Sequence, residues 1–158
     1  MVKSPKLYFA DLGLVRQATC RWGPLDGADF ETLVVAEIHN WVATAGLNTP
    51  LHFYRTRSRL EVDVLIQTPR GIHGVEIKNR ASAHSKDAIA LRMVAAALGD
   101  EWLAGLVVHP GSALELFPGA FDAWAVPAHR LFQCLSRQRR NGARRLARRP
   151  LPFQRASL

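Results

Sequence analysis

The sequence predicts a single mixed α/β domain with helices packed on a central sheet. Its 158 residues are enough to bury one core and too few for two comfortable ones. An amphipathic helical pattern is followed by three short strand patterns, a second helix and a continuous apolar strand pattern. This order of helix, three strands, helix and strand is typical of helices layered on a mixed sheet.

The first part of the chain predicts a strand, a loop and a long helix. The stretch "KLYFA" has a strand-like pattern, and a short apolar turn follows it. The loop "GPLDGAD" offers Asp26 and Asp29 as helix-capping aspartates. The helix "FETLVVAEIHNWVATAG" is expected to end at Gly46.

Three short strands are predicted next, with the sequences "LHFYRTR", "LEVDVLI" and "IHGVEIK". Strand alternation places the apolar side chains of the second strand on one face, opposite its polar ones. The apolar face comprises Val62, Val64 and Ile66.

The connection "TPRG" predicts a hairpin between the second and third strands. If Pro69 and Arg70 form a two-residue loop, facing residues have numbers that sum to about 139. Two charged pairs would then face each other across the strands, Asp63 with Glu76 and Glu61 with Lys78.

The remaining elements predict a helix, an interior strand and smaller pieces. "SKDAIALRMVAAALG" is an alanine-rich helix with Ser85 as its cap and Gly99 as its end. "LAGLVVHPG" is suited to an interior strand, while "LELF" and "AWAVP" are expected to be short peripheral pieces.

The two facing acids of the hairpin are the first candidate site. Directly opposed carboxylates about 5 Å apart repel each other unless a cation compensates, and Mg²⁺ prefers such hard oxygen ligands. Lys78 would lie beside them and act on an attacking water. The alternative is an exposed hairpin face on which Glu61 and Lys78 form an ordinary cross-strand pair.

A third acid comes from the first helix. At 100° per residue, Glu31 projects within the apolar arc, between Ile38 and Val42. A carboxylate there needs a partner, and it would point at the sheet that carries Asp63 and Glu76. The alternative is that Glu31 is a first-turn acid that reaches solvent.

Basic residues predict contact with nucleic acid. The net charge is +8, but nine arginines and no acids follow Asp122, so the first 122 residues are close to neutral, at about −1. The arginine-rich tail is either a nucleic-acid-binding arm or a solvated end. Candidate phosphate contacts are Arg55, Arg57, Arg59, Arg80, Arg139 and Arg140.

Membrane and secreted classes are not indicated by the sequence. No apolar run approaches the roughly 18 residues of a membrane span, and no signal-peptide pattern is present. Cys20 and Cys134 lack metal-site spacing and resemble unpaired thiols of a reducing compartment. A cytoplasmic protein is therefore expected.

The motifs "EVD", "EIK" and the helical "FE" resemble the PD-(D/E)XK nuclease superfamily, whose core order is αβββαβ. The resemblance implies that Asp63, Glu76 and Glu31, with the Ile77 backbone carbonyl, hold Mg²⁺ or Mn²⁺. It also implies that Lys78 assists the attacking water. Val62 stands where the superfamily usually has proline.

A closer resemblance runs from about Lys6 to Val126 in "KLYFADLGLVR", "FETLVVAEI", "FYRTRSRLEVDVLI" and "GVEIKNR". It is to the DUF4143 domain found at the C-terminus of prokaryotic AAA-type ATPases. The resemblance implies a DNA-hydrolysing nuclease-like domain or, alternatively, an inactive binding module that regulates an ATPase, with a homodimer left open.

The predicted domain organisation follows from this resemblance. The expected divisions are an N-terminal strand and loop left from a preceding region (1–28), the nuclease-like domain (29–132) and the arginine-rich tail (133–158).

Overall fold

A computed structural model describes residues 6–56, 60–119 and 122–137, which form a six-stranded mixed sheet with helices on both faces. Two short 3₁₀ helices, Ser85–Ala88 and Gly99–Glu101, flank the third α-helix. The other elements, in chain order, are α1 (Leu12–Ala18), α2 (Gly27–Thr44), β1 (Leu51–Arg55), β2 (Glu61–Thr68), β3 (Gly71–Ile77), α3 (Ile89–Leu98), β4 (Trp102–His109), β5 (Glu115–Leu116), β6 (Ala123–Pro127) and α4 (Ala128–Arg137).

The sheet has the strand order β1-β2-β3-β4-β6-β5. Strands β1, β2 and β3 are antiparallel neighbours, β4 is parallel to β3 and to β6, and β5 is antiparallel to β6. The segment from α2 to β4 has the predicted order of helix, three strands, helix and strand, and the prediction of a mixed sheet with helices is confirmed.

Strand β6 corrects the expectation that "AWAVP" is a peripheral piece. It lies between β4 and β5 in the sheet, and Ala125 and Val126 are only 2% and 3% exposed. The short stretch around Glu115–Leu116 forms the edge in its place. Because β4 is apolar on both faces, it needs a strand on each side to satisfy its backbone, and β6 is the second of these.

The N-terminal segment also differs from the sequence prediction. Residues 6–10 form no strand, and the expected apolar turn is helix α1. The Asp11 carboxylate accepts a hydrogen bond from the Leu14 backbone N–H at 3.0 Å, which is a helix N-cap contact. The predicted division of the chain at residues 28 and 132 stays a prediction, although α4 runs across the second boundary.

Helix α2 ends where the sequence predicts but begins at Gly27, three residues before the predicted Phe30, so Asp29 lies in its first turn and is not the cap. The Asp26 carboxylate caps its N-terminus by accepting the Asp29 N–H at 2.8 Å. At the other end Gly46 has a φ of 67°, and Leu47 N–H donates to the Val42 carbonyl at 3.1 Å. This is a Schellman ending, which favours glycine at the left-handed position.

Helix α3 is preceded by a 3₁₀ turn that the sequence did not predict. His84, not Ser85, is its N-cap residue, and the Asp87 carboxylate accepts the His84 N–H at 2.7 Å. Asp87 therefore satisfies the first turn from within, which removes the need for a serine cap.

Two apolar clusters lie on the two faces of the sheet. Helix α2 packs Phe30, Val34 and Ile38 on one face, and α3 packs Leu91 and Val94 on the other. On the α3 face the Trp102 ring lies so close to Gly74 that a Cβ there would be 2.5 Å from the ring. The same Cβ would be 2.8 Å from the Leu91 side chain, so Gly74 allows α3 to pack closely on β3.

No helix within residues 6–56, 60–119 and 122–137 is long and apolar enough to cross a membrane. The cytoplasmic location stays a prediction.

Candidate functional site

The candidate site is built on the β2–β3 hairpin. Residues paired across the hairpin run from Thr68 with Gly71 to Val64 with Val75, so the predicted register is confirmed over this part. The Thr68 hydroxyl accepts the Arg70 N–H at 3.2 Å and donates to the Gly71 carbonyl at 2.9 Å. These two bonds stabilise the Pro-Arg turn and hold the register.

A β-bulge in β2 changes the direction of its side chains at the site. His52 pairs with Leu65 but Tyr54 pairs with Val62, so Asp63 and Val64 together face the single residue Phe53. Val62 consequently packs in the α3-side cluster, whereas Val64 packs on the α2 side. The prediction that Val62, Val64 and Ile66 share one face is wrong for Val62, because the bulge adds one residue to the alternation.

Beyond the bulge, β2 and β3 no longer pair through their backbones, and a side chain of β2 bonds to the backbone of β3 instead. The Ile77 N–H donates to Oδ2 of Asp63 at 2.8 Å. The backbone pairs expected for Asp63 with Glu76 and for Glu61 with Lys78 are not formed. A carboxylate thus lies at the end of the hairpin, where it replaces a backbone acceptor of the sheet.

Three carboxylates converge on the ammonium group of Lys6. Its Nζ lies 2.9 Å from Oε1 of Glu31 and 3.2 Å from Oδ1 of Asp63, and it also forms an ion pair with Glu61. The Lys6 side chain is 27% exposed and the Asp63 side chain 8%. We call Lys6, Glu31, Glu61 and Asp63 the lysine cluster.

Two aromatic side chains complete the lysine cluster. The Tyr8 hydroxyl donates to Oε1 of Glu31 at 2.6 Å, and the Lys6 ammonium lies 4.7 Å from the centre of the Phe53 ring. The ring face attracts the cation, and the hydroxyl shares the charge of Glu31. Burial and the bond to Glu31 both raise the pKa of Tyr8, so the phenol stays protonated as the donor.

Glu76 and Lys78 form a second pair, and Glu76 lies on the α3 face of β3. The Lys78 ammonium donates to Oε1 of Glu76 at 2.5 Å. The other carboxylate oxygen, Oε2, is buried and has no hydrogen-bond partner among the described residues. An orphaned buried carboxylate oxygen is unusual and indicates a position for a donor or a cation.

The charge of Asp63 in the lysine cluster acts on the Glu76–Lys78 pair. Burial, and then the nearby charge of Asp63, raise the pKa of Glu76 to about 7. Burial also raises the pKa of Asp63, against the Ile77 N–H and Lys6, which favour the charged form. Burial opposes the charged form of Lys78, yet the bond to Glu76 and the negative charges of Glu76, Asp63 and Asp87 together outweigh it and raise the pKa of Lys78. Lys78 is therefore a cation at neutral pH.

The four predicted site residues are thus brought near one another as two pairs, not as one cluster. Glu31 and Asp63 meet at Lys6, while Glu76 and Lys78 meet on the other side of the Ile77 backbone. In the described part of the chain, no group of three or more acids, histidines or cysteines is arranged to hold a metal ion. The expected three-acid metal site is not assembled with Lys6 in this position.

A two-carboxylate metal site still fits the residues present. Mg²⁺ is usually held by one or two protein carboxylates, with water and phosphate supplying its other ligands. Asp63 and Glu76 supply hard oxygens, and Oε2 of Glu76 has no protein donor within the described ranges. Lys6 holds both Glu31 and Asp63: its ammonium bonds to Oε1 of Glu31, which also accepts from Tyr8, and to Oδ1 of Asp63.

Two of the arginines predicted to contact nucleic acid border these clusters. Arg55 lies 3.5 Å from Glu61, and Arg80 forms an ion pair with Asp87; their side chains are 38% and 39% exposed. Arg57, Arg59, Arg139 and Arg140 lie outside the described residues.

The sequence reasoning missed Lys6 and Tyr8 as site residues. Their side chains reach Glu31 across 25 and 23 positions of sequence. The only local signal is that both residues are polar and alternate with Leu7 and Phe9, which places them on the same side of an extended segment.

Comparisons with known proteins add a family and two relatives. The sequence profile of a family described as "Domain of unknown function (DUF4143)" matches residues 26–129. An uncharacterized protein of Mycobacterium bovis and one of Mycobacterium tuberculosis are each 31% identical over 137 residues. The alignment covers 82% of this chain and 29% of each relative, so the chain spans less than a third of these curated relatives.

Proposed function

Because this chain belongs to the DUF4143 family, and its matched segment contains the acids and the lysine of the hairpin, we propose that it is a metal-dependent nuclease-like domain of the PD-(D/E)XK type that hydrolyses DNA phosphodiesters. The observation that carries the proposal is that Oε2 of Glu76 is buried, has no protein donor within residues 6–56, 60–119 and 122–137, and lies near the charge of Asp63. A structural acid would be expected to have both oxygens satisfied.

Asp63 and Glu76 would hold Mg²⁺ or Mn²⁺, together with the Ile77 carbonyl. The ion would polarise a phosphoryl oxygen and lower the pKa of a bound water. The protein's own contribution is to fix the carboxylates: the Ile77 N–H orients Asp63, and Lys78 orients Glu76.

Lys78 is proposed to stabilise charge and not to remove a proton. Its ammonium is paired with Glu76 and its pKa lies above the ordinary value, so it is a poor base at neutral pH. A fixed cation with free N–H donors is suited to hold the attacking water and to balance negative charge developing on phosphate.

DNA is the proposed substrate because guanidinium groups border the site. The side chains of Arg55 and Arg80 are 38% and 39% exposed, so their positive charge is accessible to a phosphate backbone. The alternative is a non-catalytic module that binds nucleic acid or a partner. The much longer relatives support the further proposal that such domains work as parts of larger proteins, of which AAA-type ATPases are the expected kind.

Cleavage assays with an isosteric variant test the nuclease proposal. With Mn²⁺, wild type should cleave branched, linear or single-stranded DNA, and Asp63→Asn should lower the rate at least about 100-fold while keeping the acceptor for Ile77. The matched control is Asp100→Asn, an exposed acid, which should cleave like wild type. Equal cleavage by wild type and Asp63→Asn, or none by wild type, would contradict a catalytic role.

A further inference from the structure

The ammonium group of Lys6 lies among the acids of α2 and β2. Its ammonium contacts Glu31, Glu61 and Asp63 at once and lies over the Phe53 ring. One amine that gathers three carboxylates from two elements balances charges that would otherwise repel one another. In this arrangement Asp63 directs one oxygen to Ile77 and the other to Lys6.

No residue of the 6–10 segment, which carries Lys6, is fully buried. Residues 6–10 belong to no helix or strand, and Leu7 and Phe9 are 76% and 46% exposed. Tyr8 is held by its hydrogen bond to Glu31 and by partial packing on the α2-side core. Segments with few buried contacts open locally at low free-energy cost. The lysine cluster therefore supplies much of what holds this segment to the sheet.

On the basis of the metal site proposed above, we infer that Lys6 competes with the metal for the same acids. The 6–10 segment must be displaced before Glu31 and Asp63 together can bind a divalent cation. With Lys6 in place, its ammonium group holds both Glu31 and Asp63, while Oε2 of Glu76 has no protein donor among the described residues. With Lys6 displaced, Glu31 and Asp63 are released and can act with Glu76 as three acids. A partner that binds the 6–10 segment in its displaced position would then raise the affinity for metal. By linkage, bound metal would raise the affinity for that partner by the same factor.

Calorimetric titration of Mn²⁺ into four forms of the full chain tests this competition. Lys6→Met should bind Mn²⁺ about tenfold more tightly than wild type, because the competing charge is gone. Lys6→Arg retains the charge and should remain within about twofold of wild type. Lys86→Met, which removes a lysine from an exposed position of the 3₁₀ turn, should also bind like wild type.

A footprint on the wild-type protein gives a second readout that needs no variant. Saturating Mn²⁺ should increase acetylation of Lys6 by an amine-reactive reagent several-fold and leave Lys86 unchanged, as measured by mass spectrometry of peptides. Under the proposal, metal binding releases the Lys6 amine from its three carboxylates.

The outcomes separate the two proposals. If wild type and Lys6→Met bind Mn²⁺ with equal affinity and the Lys6 footprint is unchanged, the competition is wrong while the metal site stands. If no form binds Mn²⁺, both the metal site and the competition are wrong.

Discussion

Glu76 and Asp87 are two buried carboxylates on either side of the loop that joins β3 to α3. They differ in how many of their oxygens have hydrogen-bond or ion-pair partners. Their side chains are 10% and 6% exposed, and each has one basic partner, Lys78 and Arg80 respectively. Asp87 also accepts the His84 N–H at 2.7 Å, so both of its oxygens are bonded. Oε2 of Glu76 has no partner within the described residues.

The pKa values follow from this difference. At Asp87, burial favours the neutral form, but the His84 N–H and Arg80 outweigh it and lower the pKa. At Glu76, burial is reinforced by Asp63 and only partly opposed by Lys78, and the pKa rises to about 7. Both acids have a cationic partner, so the presence of that partner does not distinguish a structural acid from an acid of the candidate site. The number of donors aimed at its oxygens, and the presence of a second acid, decide it.

The largest expected effect is on stability at Asp87. Asp87→Ala removes the cap of the 3₁₀ turn and leaves Arg80 without its acid, so the free energy of unfolding should fall by about 3 kcal/mol, the lower end for a buried pair because Arg80 is partly exposed. Urea unfolding in the presence of chelator measures it. Asp100→Ala, at an exposed acid, should change stability by less than about 0.5 kcal/mol. An Asp87→Ala loss no larger than that would mean that the pair is not structural.

Glu76 should make the folded protein less stable as pH rises, which is opposite in sign to the effect of Asp87, whose pKa is lowered. Its folded pKa of about 7 lies above the ordinary value of 4.5, so between these pH values the folded state binds more protons than the unfolded state. Wild type should therefore lose about 2 kcal/mol relative to Glu76→Gln as pH rises from 5 to 7 in chelator.

Asp63, Lys78 and Glu61 are the charged groups that act on Glu76, and all three are retained in the variant. Their own titration is therefore largely removed by taking the difference between the two unfolding curves. A difference that is flat from pH 5 to 7 would mean that Glu76 is as well compensated as Asp87.

The smallest effect is expected from Glu76→Gln at pH 7. Removing the uncompensated charge should stabilise the metal-free protein by about 1 kcal/mol, even though Lys78 loses its ionic partner. Denaturant unfolding at pH 7 checks the sign, with Glu115→Gln at an exposed edge position as the control. A loss of 1 kcal/mol or more would place Glu76 with Asp87 among the structural acids.

Sequence reasoning succeeded where the deciding contacts are local. The capping of α2 by Asp26 and its ending at Gly46 depend on residues within one turn of the helix. The register of the hairpin depends on the Pro69–Arg70 loop and was predicted from its length. The order of helices and strands from α2 to β4 followed from periodicity together with turn and capping residues.

Tertiary structure decided the arrangement of the acids. The bulge at Asp63 and Val64 depends on how β1 pairs with β2, and it turns Asp63 towards α2. The place of β6 beside β4 depends on a pairing between distant strands. Lys6 reaches Asp63 across 57 positions of sequence. Local patterns carry no information about such contacts, because their free energy comes from burial and charge that exist only after the elements have packed together. The sequence by itself therefore determined which acids line the hairpin, and only the packed sheet decided that they divide into two pairs with a lysine held in one of them.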